Sequence, residues 1–170
     1  WQVEMPIEKT TDQTINKTSI MNWLDKAFGV PIKSKATHKW KAAGVYYPKT
    51  QIVRMQKWGE LYVAAHEVAH HIDHTFRTTL GRNWYRPTPK IVTELADLDY
   101  DQRPNTGRRT NEGFAEYMRY RITTNEAAKK APEFHKFFEK FLEEHTDLKE
   151  KLQTFKEKVD IWQQQGAENR

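Results

Sequence analysis

The chain has 170 residues, enough for one domain with a sizeable core, and its longest apolar runs fall far short of the ~20 residues that cross a bilayer. It contains no Cys, which excludes disulfides, thiolate zinc sites and a cysteine nucleophile but assigns no compartment. Charged residues make up 30% and the net charge is +5, a mild basicity that permits weak attraction to acidic surfaces without arguing for a nucleic-acid partner.

Residues 1–16 are polar and weakly periodic and read as a loosely packed lead-in. No N-terminal segment of the sequence has a secretory signal pattern. Trp1 in place of an initiator Met fits a processed product or a piece of a longer polypeptide. A first helix is expected over 20–28, capped by Ser19, with Ile20, Trp23, Leu24, Ala27 and Phe28 apolar and Gly29 as its stop. Residues 33–41, rich in Lys and His, read as an exposed basic loop or edge. From Gly44 to Met55 the pattern is that of a β-hairpin: Val45, Tyr46 and Tyr47 on one arm, Ile52, Val53 and Met55 on the other, Pro48, Lys49 and Thr50 in the turn. Such a hairpin could present an edge to an extended peptide or simply cover the next helix.

That next helix is expected over 59–79, stopped by Gly81, with Leu61, Ala65, Val68, Ala69, Ile72 and Phe76 as its buried stripe. Pro87 and Pro89 mark a loop over 82–90. A helix over 90–100 follows, then a loop over 101–109, then a helix that begins at the capping residue Thr110 and buries Phe114, Ala115, Met118 and Ile122. After a turn region, Pro132 suits the first turn of another helix, which carries Phe134, Phe137, Phe138, Phe141 and Leu142. Leu148, Leu152, Phe155, Val159 and Trp162 mark the last one. No repeat or second domain is visible; 132–170 reads as a C-terminal helical extension of a single domain spanning 1–170.

The chemistry lies in His66-Glu67-Val68-Ala69-His70, an H-E-x-x-H motif. Residues four apart share a helix face, so His66 and His70 can offer imidazole nitrogens to one Zn²⁺ while Glu67 reaches a metal-bound water as general base. A catalytic zinc site needs a third protein ligand. His74 sits one turn too far along the axis and His71 points about 100° from His70, so neither completes the set easily.

Downstream, Asn111-Glu-Gly-Phe-Ala115 resembles the N-E-G-F-A stretch of membrane-alanyl-aminopeptidase relatives within the gluzincin metallopeptidases. The resemblance implies Glu112 as the third zinc ligand. The pair Glu112 and Glu116 also resembles the E-x-x-x-D pattern of thermolysin-like enzymes, which implies that Glu116 hydrogen-bonds the other nitrogen of His66. The helix and loop over 82–109 are additional to the family pattern. An Asp ligand from Asp97 or Asp99 is the rival reading. A looser likeness, carried by Glu112-Gly-Phe-Ala-Glu-Tyr117 and Ala131-Pro-Glu-Phe134, is to metallopeptidase-like domains of phage and mobile-element polyvalent proteins.

These readings together lead us to expect an α+β, mainly helical, minimal zincin-like fold with a small β-hairpin or sheet before the H-E-x-x-H helix. The expected activity is zinc-dependent peptide-bond hydrolysis on a peptide or protein substrate. Glu67 is the expected base, Tyr117 and Tyr120 are candidate oxyanion donors, and Asn111 is a candidate for binding substrate backbone. The alternative is a zincin scaffold or binding domain without turnover inside a larger assembly, a phage assembly included. Localisation stays open, with secreted and virion-associated settings included.

Overall fold

Asn16 stands where the chain turns from extended to helical backbone. Its side-chain oxygen accepts from the Ser19 N–H at 2.8 Å, which satisfies one of the donors that a helix start leaves free. Asn16, not Ser19, therefore caps helix α1 (Lys17–Phe28), which begins one turn earlier than the apolar spacing predicts. Gly29 ends it with φ +69°, its N–H on the Asp25 carbonyl at 3.0 Å. The structure, a computed structural model, describes residues 15–29, 32–33, 44–47, 52–55 and 61–165. Residues 1–14 of the lead-in expected over 1–16, residues 34–41 of the basic loop expected over 33–41 and the turn at Pro48–Thr50 lie outside the described residues.

Three short strands follow: β1 (Ile32–Lys33), β2 (Gly44–Tyr47) and β3 (Ile52–Met55). β2 runs antiparallel to β3, with Gly44 opposite Met55 and Tyr47 opposite Ile52, and β1 lies parallel to β3 on its other side. The remaining elements are helices: α2 (Leu61–Leu80), α3 (Pro89–Leu98), α4 (Thr106–Thr123), α5 (Ala127–Lys130), α6 (Pro132–Glu143) and α7 (Thr146–Gln164).

The expected α+β, zincin-like class is overturned: the expected pairing of 44–47 with 52–55 is present only as two short strands. The described interior is all helical, built by the apolar stripes of the helices packing on one another. Met21 and Leu24 of α1, Ala65 and Ala69 of α2, Phe114 of α4, Phe134 and Phe138 of α6 and Phe155 of α7 are fully buried in one cluster. Trp84 and Tyr85, on the connection after α2, join it. Strands of two to four residues are too short to form a layer with a core of their own, whatever alternation the sequence shows. Each fully buried Phe contributes roughly 2–3 kcal/mol of transfer free energy, so the aromatic stripe of α6 is a main source of cohesion.

Two other boundaries move. The helix expected from Thr110 begins at Thr106, capped by Asn105, whose side chain accepts from the Arg108 N–H at 3.0 Å. Thr110 is thus a buried residue inside the helix, and Glu112 sits in its second turn. The turn region after α4 contains α5, a single turn. The start of α6 has no capping side chain of its own. Glu94 of α3 takes that role: its carboxylate accepts from the Glu133 and Phe134 N–H groups at 3.0 and 2.9 Å and ties two helices together. At the opposite end of the chain the Gln165 side chain spans to Ile15, its oxygen accepting from the Ile15 N–H and its nitrogen donating to the Ile15 carbonyl at 2.7 Å. No helix among the described residues is long and apolar enough to cross a membrane.

Candidate metal centre

The small residues Ala64, Ala65 and Ala69 put an uncluttered, fully buried face on α2, and α4 packs there. The depth of α4 is set from its other side by Gly113. A Cβ at that position would stand 1.7 Å from the Leu95 carbonyl oxygen, so the α3 backbone passes where any other side chain would begin. This close crossing fixes the height of the adjacent residue, Glu112, against α2.

At that height the Glu112 carboxylate spans both motif histidines. Its two oxygens lie 3.0 Å from His66 Nε2 and 3.2 Å from His70 Nε2. The two imidazole rings meet edge to face, 5.2 Å apart. Behind His66, Nδ1 donates to Glu116 at 2.8 Å, and the other oxygen of Glu116 accepts from Arg119 Nε and Nη2 at 3.1 and 3.0 Å. The resulting relay runs Arg119, Glu116, His66. It fixes the ring orientation and turns Nε2 toward Glu112, which is the arrangement a metal-binding imidazole needs. Glu67, one step along α2, is 7% exposed.

The cluster carries an excess of negative charge. Burial alone would lower the basicity of His66, but Glu112, Glu116 and Glu67 outweigh it and push its pKa up to about 10. Burial likewise opposes ionisation of Glu112 and Glu116, and contact with the histidines overrides it and holds both carboxyls below their ordinary range. Three carboxylates around two imidazoles, with one arginine behind, form a pocket that stabilises a cation.

The donor set fits zinc. One donor atom from each of His66, His70 and Glu112 lies within 4.8 Å of the others. Donors bonded at about 2.0–2.2 Å to a tetrahedral zinc stand about 3.3–3.6 Å apart, and each histidine nitrogen here lies 3.0–3.2 Å from a Glu112 oxygen. Two imidazole nitrogens, with the His66 proton displaced by the ion, and one carboxylate are also the ligand types that zinc accepts in hydrolytic sites.

Other residues singled out in the sequence are placed elsewhere. Tyr117 is fully buried and turned toward α6, its hydroxyl 2.8 Å from His135 Nδ1 and 3.1 Å from Arg121 Nη1. Five positions after Glu112 on a helix, it faces away from the histidines and offers them no oxyanion donor. Tyr120 lies between the cations of Arg119 and Lys130, 4.6 and 5.2 Å from its ring, and makes no described contact with the cluster. Asn111 is engaged by its own protein, donating to Asp73. His71, which points away from His70, is buried; desolvation, with the nearby His74, lowers its pKa to about 4 against a hydrogen bond to the Phe28 backbone. Asp97 is exposed, and Asp99 is occupied with the backbone N–H groups of Asp101 and Arg103, so neither joins the ligand set.

Asp73 is a residue that sequence reasoning passed over. It is 3% exposed and accepts from Trp84 Nε1 at 2.9 Å, from Arg77 at 2.6 Å and from Asn111. It thereby clamps the connection after α2 and the residue next to Glu112 to α2. The signal was present: seven positions after His66 an acid falls on the same inward face. A charged residue there needs buried partners.

Burial pushes the Tyr117 phenol up to about 12 from an ordinary value of 10.0, against the pull of Arg121. A raised folded-state pKa means that this group's contribution to stability is whole below pH 10 and is lost as pH climbs toward 12. Denaturant unfolding measured across that window should show a shallower alkaline decline in Tyr117→Phe than in the parent, with Tyr85 and Tyr100, also raised, keeping part of the slope. An identical decline in both proteins would mean that Tyr117 titrates normally.

Compared with protein-family models, curated proteins and solved structures, the chain matches none.

Proposed function

We propose that this protein is a zinc-dependent peptidase that uses a gluzincin-type ligand set on an all-helical frame. The single observation that carries the reading is the convergence of His66 Nε2, His70 Nε2 and the Glu112 carboxylate, with Glu116 and Arg119 orienting His66 from behind. His66, His70 and Glu112 would hold the ion. The chemistry supplied by zinc in such a set is polarisation of the scissile carbonyl and acidification of water.

The rest of the reaction belongs to the chain's own groups. The Glu67 carboxylate accepts a proton from the attacking water and returns it to the leaving amide nitrogen. The Glu116 carboxylate keeps the proton of His66 on Nδ1, which leaves Nε2 free as a ligand. The buried Asp73–Asn111 contact holds the α4 segment that bears Glu112 in place while substrate exchanges.

The test is Glu67→Gln, which preserves size and removes the base. The variant should keep the zinc content of the parent, measured by atomic emission, and lose cleavage of a mixed peptide library by roughly two to four orders of magnitude, the usual contribution of a general base. Undiminished cleavage with zinc still bound sinks the assignment of Glu67. Full zinc binding with no cleavage by the parent itself sinks the peptidase reading and leaves a metal-binding scaffold.

A further inference from the structure

Beyond the histidine cluster, a cavity of about 380 Å³ lies between the end of α4, α5, α6 and α7. That volume is within the range of small-molecule sites. Arg121, on its wall, comes nine positions after Glu112 (121 − 112), roughly 13 Å along the helix axis, so the two sites are separate.

The wall is rich in donors. Arg121, Lys149 and Lys156 face it against the single carboxylate of Glu139, a formal excess of two positive charges (3 − 1). Each cation is anchored from the side. Arg121 pairs with Glu139 at 2.6 Å, Lys149 with Glu143 at 2.6 Å, and Lys156 donates to the Thr124 carbonyl at 3.0 Å with Asp160 3.6 Å away. Glu143 and Asp160 lie outside the lining, so a ligand's oxygens would meet Lys149 and Lys156 by taking over from these carboxylates.

His135 borders the same wall. The Tyr117 oxygen accepts from Arg121 and shares a 2.8 Å hydrogen bond with His135 Nδ1, while His135 Nε2 lies 3.8 Å from Glu139. Ile122, Ala127 and Leu152 supply an apolar side to the same space.

We propose that this cavity binds a small organic phosphate monoester. Its head group carries close to two negative charges at neutral pH and three acceptor oxygens, one for each of the Arg121, Lys149 and Lys156 donors, while its organic body meets the apolar side. A carboxylate brings one charge and two oxygens and matches less well.

Isothermal titration with phenyl phosphate and with benzoate tests this on the parent, on His66→Ala and on the double variant Lys149→Gln/Lys156→Gln. The lysine ends are solvent-facing enough to be replaced without emptying the core, and circular dichroism checks that the variant is folded. Phenyl phosphate should bind one site saturably, benzoate at least about tenfold more weakly, and the double lysine variant should lose about tenfold or more in affinity. His66→Ala should bind phenyl phosphate like the parent, which separates this site from the proposed zinc centre. The proposal is overturned by any of four results. These are no saturation by on the order of 10 mM phenyl phosphate, equal affinity for benzoate, undiminished binding in the folded double variant, or lost binding in His66→Ala.

Discussion

Replacing Gly113 with Ala should cost both stability and metal affinity, although it adds one methyl group at a position remote from solvent. The added Cβ would fall 1.7 Å from the Leu95 carbonyl oxygen and 2.5 Å from its carbon. These are backbone atoms, so no rotamer change relieves the overlap, and α3 and α4 must separate by more than an ångström. Overpacking of this kind costs about 3 kcal/mol, at the upper end of its usual range. At 2–4 °C per kcal/mol for a chain of this size, the melting temperature should fall by roughly 6–12 °C in a calorimetric scan. The shift also moves Glu112, whose oxygens span two nitrogens only 3.0 and 3.2 Å away. Zinc affinity should therefore drop together with stability. A variant with an unchanged melting temperature would show that the two helices are not held at this crossing.

The second large effect separates the two acids of α4. Glu112→Ala removes a proposed ligand and should leave less than stoichiometric zinc after dialysis. Glu116→Ala leaves the three donors in place and removes only the acceptor at His66 Nδ1. It should weaken zinc binding by about 10–100-fold, the usual cost of losing an orienting partner. The order of the two losses is the diagnostic. Full occupancy in Glu112→Ala overturns the ligand set, whereas equal losses in both variants would make Glu116 as direct a participant as Glu112. Arg119 already holds one oxygen of Glu116, so its charge stays compensated in the parent and the contrast is not confounded by an unpaired acid.

The site was more legible in the chain than the fold around it. His66 and His70 announce themselves through a spacing of four, because that spacing alone stacks two side chains on one helix face. Glu112 is distant in sequence, and what brings it near is a helix crossing made possible by Gly113. One glycine in a helix looks like a mild weakness until the approaching Leu95 backbone is known. The tyrosines were harder to place. Tyr117 and Tyr120 are close to Glu112 along the chain, but helical rotation carries Tyr117 into the α6 interface and Tyr120 between two cations.

Fold class was misjudged for a related reason. Alternation over 44–55 reports locally extended backbone; whether it grows into a layer depends on strand length and on what covers it. The helical stripes were read correctly as buried, yet the sequence did not say that their partners would be one another. Helix starts slipped where an Asn did the capping: Asn16 and Asn105 each stand ahead of the first apolar residue, and periodicity is silent there.

The amide of Gln165 holding both backbone groups of Ile15 has a topological meaning. The point where the chain enters the helical body and the point where it leaves share one edge, bridged by a single side chain. A body with adjoining ends can be spliced into a surface loop of a host chain without stretching either junction, and its ends can be sealed and the ring reopened elsewhere. Its architecture is thus that of a cassette, portable between covalent contexts with its His66–His70–Glu112 cluster carried intact.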